Sequence, residues 1–405
     1  MLAGLSLITS HTKAYAQKTN CTIVSNPNEP IVCDGRKGEN GMLTTKGSGD
    51  IEIKMNMHPS AEAVKITGGA DITIMKKLKV TGWSGKNLPV IKVEKGGELT
   101  LKGGVEVEGV VGTGKVIEVD GGMVVLGEGV KKVEGKGSGE VMLVNNGGTL
   151  MMMGNSAITI KGSGGKGVQM GSTETLVMMR NVIFENVSEG INIKGSKETG
   201  LSVMGMGVGK TTMTVNGSGV VGIKVEGSGS IDATVMRLSI VGEGTGSGSK
   251  GVEFKGTGGK GKLNMTSVDV SGFATGVSAS GNGTLNIMGN SRITFKENGT
   301  GLEVKGEANA TMMGGKIVGS GKGTGVYGVK MMGSGTVKMD GVGISNVEKG
   351  VYVENGTVEM MGTAITVKGD GKGTGYGVGV GVSGGAVSMM GGSIMVINDI
   401  SGNAA

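Results

Sequence analysis

The sequence predicts an all-β chain folded as a single-stranded parallel β-helix of about thirteen coils, each of roughly 26 residues. Three observations predict it. One phrase of short alternating runs recurs from about residue 60 to the end. Each copy holds about three such runs, and no stretch sustains a helical period. Glycine supplies 86 of 405 residues, which makes long helices costly.

The phrase reads G-V/I-x-V, a turn, an alternating run with methionines, a second turn and another alternating run. Its first apolar residue falls at Val64, Ile91, Ile117, Met142, Val168, Ile191, Ile223, Val252, Val277, Leu302, Val329, Val351 and Val380. Most copies carry a second apolar residue two positions on, as at Ile66, Val93, Val119, Phe254 and Val353. Residues two apart share one face of a strand, so this pair is expected inside. The residues between them, including Lys92, Glu118, Lys224, Glu253, Glu303 and Tyr352, are expected outside. Coils stacked at ~4.8 Å would make a rod on the order of 60 Å long. A propeller blade needs four strands and a longer period.

The remaining segments follow in order. Residues 1–16 read as a short export signal, truncated at its start: an apolar run from Leu2 to Thr9, then Ala14 and Ala16 in small-x-small spacing before Gln17. Residues 17–60 are expected to cap the stack. Cys21 and Cys33 are the only cysteines, and in an exported chain they most simply form one disulfide. Closing so short a loop stabilises by roughly 3 kcal/mol. Residues 61–405 are the repeats. After the signal no apolar stretch is long enough to cross a membrane as a helix.

Aromatics are 2% of the chain, so Val, Ile, Leu and Met must fill the interior. Met178-Met179, Met312-Met313, Met360-Met361 and Met389-Met390 are read as one inward filler and one outward neighbour each. The formal charge of +6 comes almost wholly from dispersed lysines, with four arginines. Nucleic-acid sites favour arginine forks and stacking aromatics, so no nucleic-acid partner is expected, although weak affinity for acidic polysaccharide stays open.

Catalytic motifs are not expected. Gly205–Thr212 resembles a phosphate loop, but Met204 stands where its first glycine belongs and no helix follows. Gly109–Val116 lacks the magnesium-binding hydroxyl. His58 is the one histidine outside the signal. A polysaccharide-cleaving β-helix needs clustered carboxylates, and the nearest row, Glu118, Glu253 and Glu303, lies in non-adjacent coils. No cofactor or metal is expected.

The Thr12–Gln17 cleavage region, the early Cys21/Cys33 pair and units such as Gly148-Thr-Leu-Met-Met-Met-Gly and Gly356-Thr-Val-Glu-Met-Met-Gly-Thr-Ala-Ile-Thr-Val carry a resemblance. The chain resembles the passenger domain of a bacterial autotransporter, especially the glycine-rich, repeat-built ones of Bartonella-like α-proteobacteria. The resemblance implies a right-handed β-helix, exported and displayed outside the outer membrane, that acts as a non-enzymatic adhesin or stalk in host contact. The family's C-terminal translocator barrel, with its aromatic girdles, is not expected within these 405 residues. Surface display, secretion and periplasmic retention therefore stay open, as does a truncated passenger without function.

A host-surface or matrix partner is expected at loops leaving the corners of a monomeric stack. The longest intervals follow Ile191, Ile223 and Val351. Candidate contacts are Lys197 and Lys210 in the first, Lys372 and Tyr376 in the third, and, elsewhere in the repeats, Trp83, Tyr327 and Tyr352.

Overall fold

The alternation builds three parallel faces. In this computed structural model the described residues are 21, 29–43, 49–58, 60–84, 88–108, 115–171, 173–195, 202–228, 230–259, 261–320, 327–368 and 377–397. The export signal with Ala14 and Ala16, and the candidates Lys197, Lys372 and Tyr376, lie outside them.

Face one carries the first run of every copy. All thirteen expected positions are direct register partners of their neighbours, from Val64↔Ile91 to Val351↔Val380. One more rung lies upstream, where Ile31–Asp34 pairs with Val64–Thr67. Face two is a 14-stranded sheet of the methionine-bearing runs. Face three starts as a separate sheet of Ile51–Lys54, Leu78–Thr81 and Val105–Val107. Its later strands join face one in a 23-stranded sheet. The rungs recur about 27 residues apart. A 3-10 turn, Gly35–Lys37, is the one helical element among the described residues.

The interior is a column of aliphatic side chains, with Phe184, Phe254, Phe273 and Phe295 fully buried among them. Each methionine pair splits as expected: Met178, Met312 and Met360 are buried, whereas Met179, Met313 and Met361 are exposed. Met389 is partly buried and Met390 exposed. Cys21 and Cys33 form a disulfide with Cα atoms 5.4 Å apart, and Cys33 is buried at the first rung.

The glycine of the phrase has a steric cause. From Gly167 through Gly190, Gly222, Gly251, Gly276, Gly301, Gly328 and Gly350 to Gly379, it sits where face three turns into face one. A Cβ on any of the first eight would come within 2.8 Å of the next glycine's carbonyl oxygen. At most of these rungs it would also strike an inward branched side chain, such as Ile317 from Gly301 at 2.3 Å. From Gly167 onward the backbone therefore turns a tight corner that only glycine fits. Asp269–Gly281 and Arg292–Val304 run across it as unbroken 13-residue strands. In earlier rungs the equivalent residues are Ala63, Val90, Val116 and Val141, all buried.

Candidate binding surface

The side chains between the core positions of face one align in columns because successive rungs pair in register, although Asn192, Glu253 and Ser278 among them are buried. One column runs Gln169–Asn192–Lys224–Glu253–Ser278–Glu303–Lys330–Tyr352. The column beside it runs Lys250–Thr275–Thr300–Tyr327–Lys349. Two aromatic candidates from different phases of the phrase thus become diagonal neighbours on consecutive rungs.

The tyrosine rings have centroids 5.6 Å apart and planes inclined at 51°. Both side chains are half-buried. The Lys349 ammonium lies 4.8 Å from the Tyr327 centroid and 5.3 Å from that of Tyr352, within cation–π range of both. It also donates to the Tyr327 hydroxyl at 3.2 Å. Lys330 lies 5.2 Å from the Tyr327 centroid and 2.9 Å from Glu354. Burial pulls the Lys330 ammonium down, but Glu354, with Tyr327 and Glu303 nearby, outweighs it and raises the group above its ordinary value. The Tyr352 ring rests on bare backbone, since a Cβ on Gly381 would meet it at 2.8 Å. The result is a fixed aromatic platform with one cation, Lys349, whose contacts are tyrosines. Such a surface can stack on apolar ring faces and attract anions.

The carboxylate row has a different character, and it carries a correction: Glu118 and Glu253, expected outside, are buried, each drawn into an ion pair with a lysine three residues away. Glu118 is held by Lys115 at 3.1 Å, Glu253 by Lys250, and Glu303 by Lys305 at 3.0 Å. Lys92 lies 3.6 Å from Glu94, 3.9 Å from Glu118 and 3.6 Å from Asp120. Burial lowers Lys92, yet these surrounding carboxylates raise it overall. Glu253 and Glu303 stand two rungs apart, roughly 9.6 Å by strand spacing, with Ser278 between them. Among the described residues no group of three or more His, Cys, Asp or Glu side chains could hold a metal ion.

The other candidates disperse. Trp83 is a correction: it was expected as an outward contact but is fully buried in the core. In so aromatic-poor a chain the indole is worth more as filler, and burying it removes a large apolar area from water. Its Nε1–H has no hydrogen-bond partner there. Lys210 lies away from the tyrosines, at the corner between faces two and three, 2.6 Å from Asp269. The long interval after Ile223 is packed: Thr245 and Ser249 are buried, and Lys296 donates to the Thr245 hydroxyl at 2.9 Å. The phosphate-loop lookalike runs from strand Val203–Gly205 to strand Thr211–Asn216 and meets no helix. His58 lies in a turn beside the third face.

Among the described residues no helix is long and apolar enough to cross a membrane. Comparison with family models, with curated proteins and with solved structures finds no match to this chain.

Proposed function

We propose that the chain is an exported β-helix passenger of autotransporter type, used as an extended adhesin or stalk in contact with another surface. The observation that carries this reading is the Tyr327–Tyr352 platform with Lys349. Its rings are half-buried and in mutual contact, and it sits on a stack whose remaining acids on that face are largely tied to lysines. Charge pairing of this kind makes a solvated, ordered surface rather than a reactive one. The split of each methionine pair and the glycine corner serve the stack alone.

The alternative, a polysaccharide-active enzyme, draws on Glu253 and Glu303 as a carboxylate pair. Both are ion-paired, Glu253 with Lys250 and Glu303 with Lys305, and Ser278 stands between them in the column. The adhesin reading is therefore preferred.

The test displays the chain on a bacterial surface through a heterologous anchor and counts cells retained on matrix-coated and host-cell layers. The expected result is retention above the anchor alone, cut several-fold by Tyr327→Ala with Tyr352→Ala. Equal retention by both displayed forms and the bare anchor would reject the adhesin reading. Release of reducing sugar from a polysaccharide panel, lost in Glu253→Gln, would install the enzyme reading instead.

A further inference from the structure

We propose that the groove along the corner between faces two and three, from Arg292 to Ala364, is a binding site for a linear anionic glycan, whose carboxylate or sulfate groups are held by Arg292 and Lys316. The groove is a cleft of about 580 Å³ whose lining includes Lys210, Arg292, Lys316, Gly315, Gly343 and Ala364.

Its charge is unbalanced. Three cations line it against one carboxylate, Asp269. That carboxylate is already engaged, accepting from the Lys210 ammonium at 2.6 Å and from the Arg292 backbone N–H at 3.0 Å. Arg292 and Lys316 are direct register partners on consecutive rungs, and both are exposed. Like charges placed opposite one another across strands are destabilising. Elsewhere the stack repairs this arrangement: Lys65 and Lys92 are also register partners, but Glu94 lies 2.9 Å from one and 3.6 Å from the other. At Arg292 the side-chain contact is with a neutral hydroxyl, Nε to Thr294 Oγ1 at 3.3 Å. A surplus of positive charge is thus held in place by the register: Asp269 is the register partner of Arg292 on its other side, but it is engaged by Lys210, and Lys316 adds a further cation beyond Arg292.

Its floor is bare. Each rung at this corner has a left-handed residue at the same position: Arg237, Ser267 and Asn290 with φ of 56°, 55° and 56°, then Gly314, Gly341 and Gly362 with φ of 67°, 62° and 56°. The first three put side chains over the corner, and the next three leave backbone exposed. Gly343 and Ala364 continue the outward column of Lys316. Bare backbone lets a ring-shaped ligand approach closely. A groove that is cationic at one end and flat beyond it suits a chain of sugars anchored by its acidic groups. It has no aromatic lining of the kind that stacks nucleobases. The inference holds whether or not the chain is exported.

The test measures binding of the purified full chain to three probes by calorimetry at low and at physiological salt. The probes are a heparin oligosaccharide, an oligogalacturonate and neutral dextran. The expected result is binding to at least one anionic probe and not to dextran, weakened by salt. Heparin alone assigns sulfate, and oligogalacturonate assigns carboxylate. Arg292→Gln with Lys316→Gln should lose roughly tenfold or more in affinity, the scale of charge-assisted hydrogen bonds. Lys95→Gln with Lys102→Gln, which removes the same charge far from the groove, should lose little. Ala364→Trp keeps every charge and should weaken binding by blocking the floor, a check independent of any folding defect in the double variant. Absence of binding to either anionic probe, or equal losses in the two charge pairs, overturns the site. Tighter binding of an oligothymidylate than of either glycan overturns the glycan assignment.

Discussion

A Cβ placed on Gly328 would stand 2.6 Å from the carbonyl oxygen of Gly350 on the next rung. It would also come within 2.5 Å of an Ile344 methyl carbon. Neither neighbour can retreat, because one is backbone and the other fills the core. Gly328→Ala should therefore cost about 1–3 kcal/mol, the usual scale of overpacking. Gly343→Ala, whose Cβ would meet its first neighbour at 3.6 Å, should lie within about 0.5 kcal/mol of the parent. Urea midpoints of the two variants check this.

Met312→Ala should cost about 2–5 kcal/mol by leaving a cavity, whereas Met313→Ala should be nearly neutral. The two residues are adjacent, but one is fully buried and the other 51% exposed. Equal losses would show that the strand Asn309–Met313 does not alternate as described.

Trp83 is the single tryptophan, so its fluorescence reports on the early rungs alone. Emission should be blue-shifted and poorly quenched by acrylamide. Trp83→Ala should cost about 3–5 kcal/mol. Trp83→Phe should cost far less, since it keeps most of the filler and removes a buried N–H without a partner.

Lys224 lies 2.9 Å from Glu189 and 3.0 Å from Glu226, and Glu226 accepts from Asn192 at 3.1 Å. Burial pushes the Glu226 carboxyl up, but Asn192 and Lys224 outweigh it and hold the group below its ordinary 4.5. A depressed carboxyl contributes stability above its unfolded value and loses it as pH falls through the folded value. Burial likewise lowers Lys224, and Glu189 and Glu226 outweigh it, raising the group above 10.5. That contribution is complete below 10.5 and lost as pH rises through the folded value. The cluster thus stabilises between these limits. Lys224→Met should cost about 1–2 kcal/mol at pH 7, less than a fully buried pair because the groups are partly solvated. The deficit should shrink below pH 4 in thermal melts.

The inward positions were legible because a period of two separates them from outward ones without reference to any other rung. That is why Val64 to Val380 stack as expected. The need for glycine at Gly328 was not legible, because its cause lies on the neighbouring rung. Tyr327 and Tyr352 stand out singly in the sequence as aromatics, but they occupy different phases of the phrase, so their contact follows only from the register. Trp83 sits in an irregular stretch after Leu78–Thr81, where alternation gives no direction. Arg292 and Lys316 come together only when the third run of each copy is set in register. Arg292-Ile-Thr-Phe set against Lys316-Ile-Val-Gly carries the signal.

The register of face one underlies both the tyrosine platform and the charge cluster around Lys224. Gln169 and Lys330 lie six rungs apart in one outward column. Six strand spacings give about 29 Å. Spin labels on Gln169→Cys and Lys330→Cys, with Cys21 and Cys33 protected as a disulfide, allow a pulsed-dipolar distance measurement. The account predicts a single narrow distribution centred near that distance, broadened only by the label linkers. A broad distribution, or a centre displaced by several rungs, would contradict it.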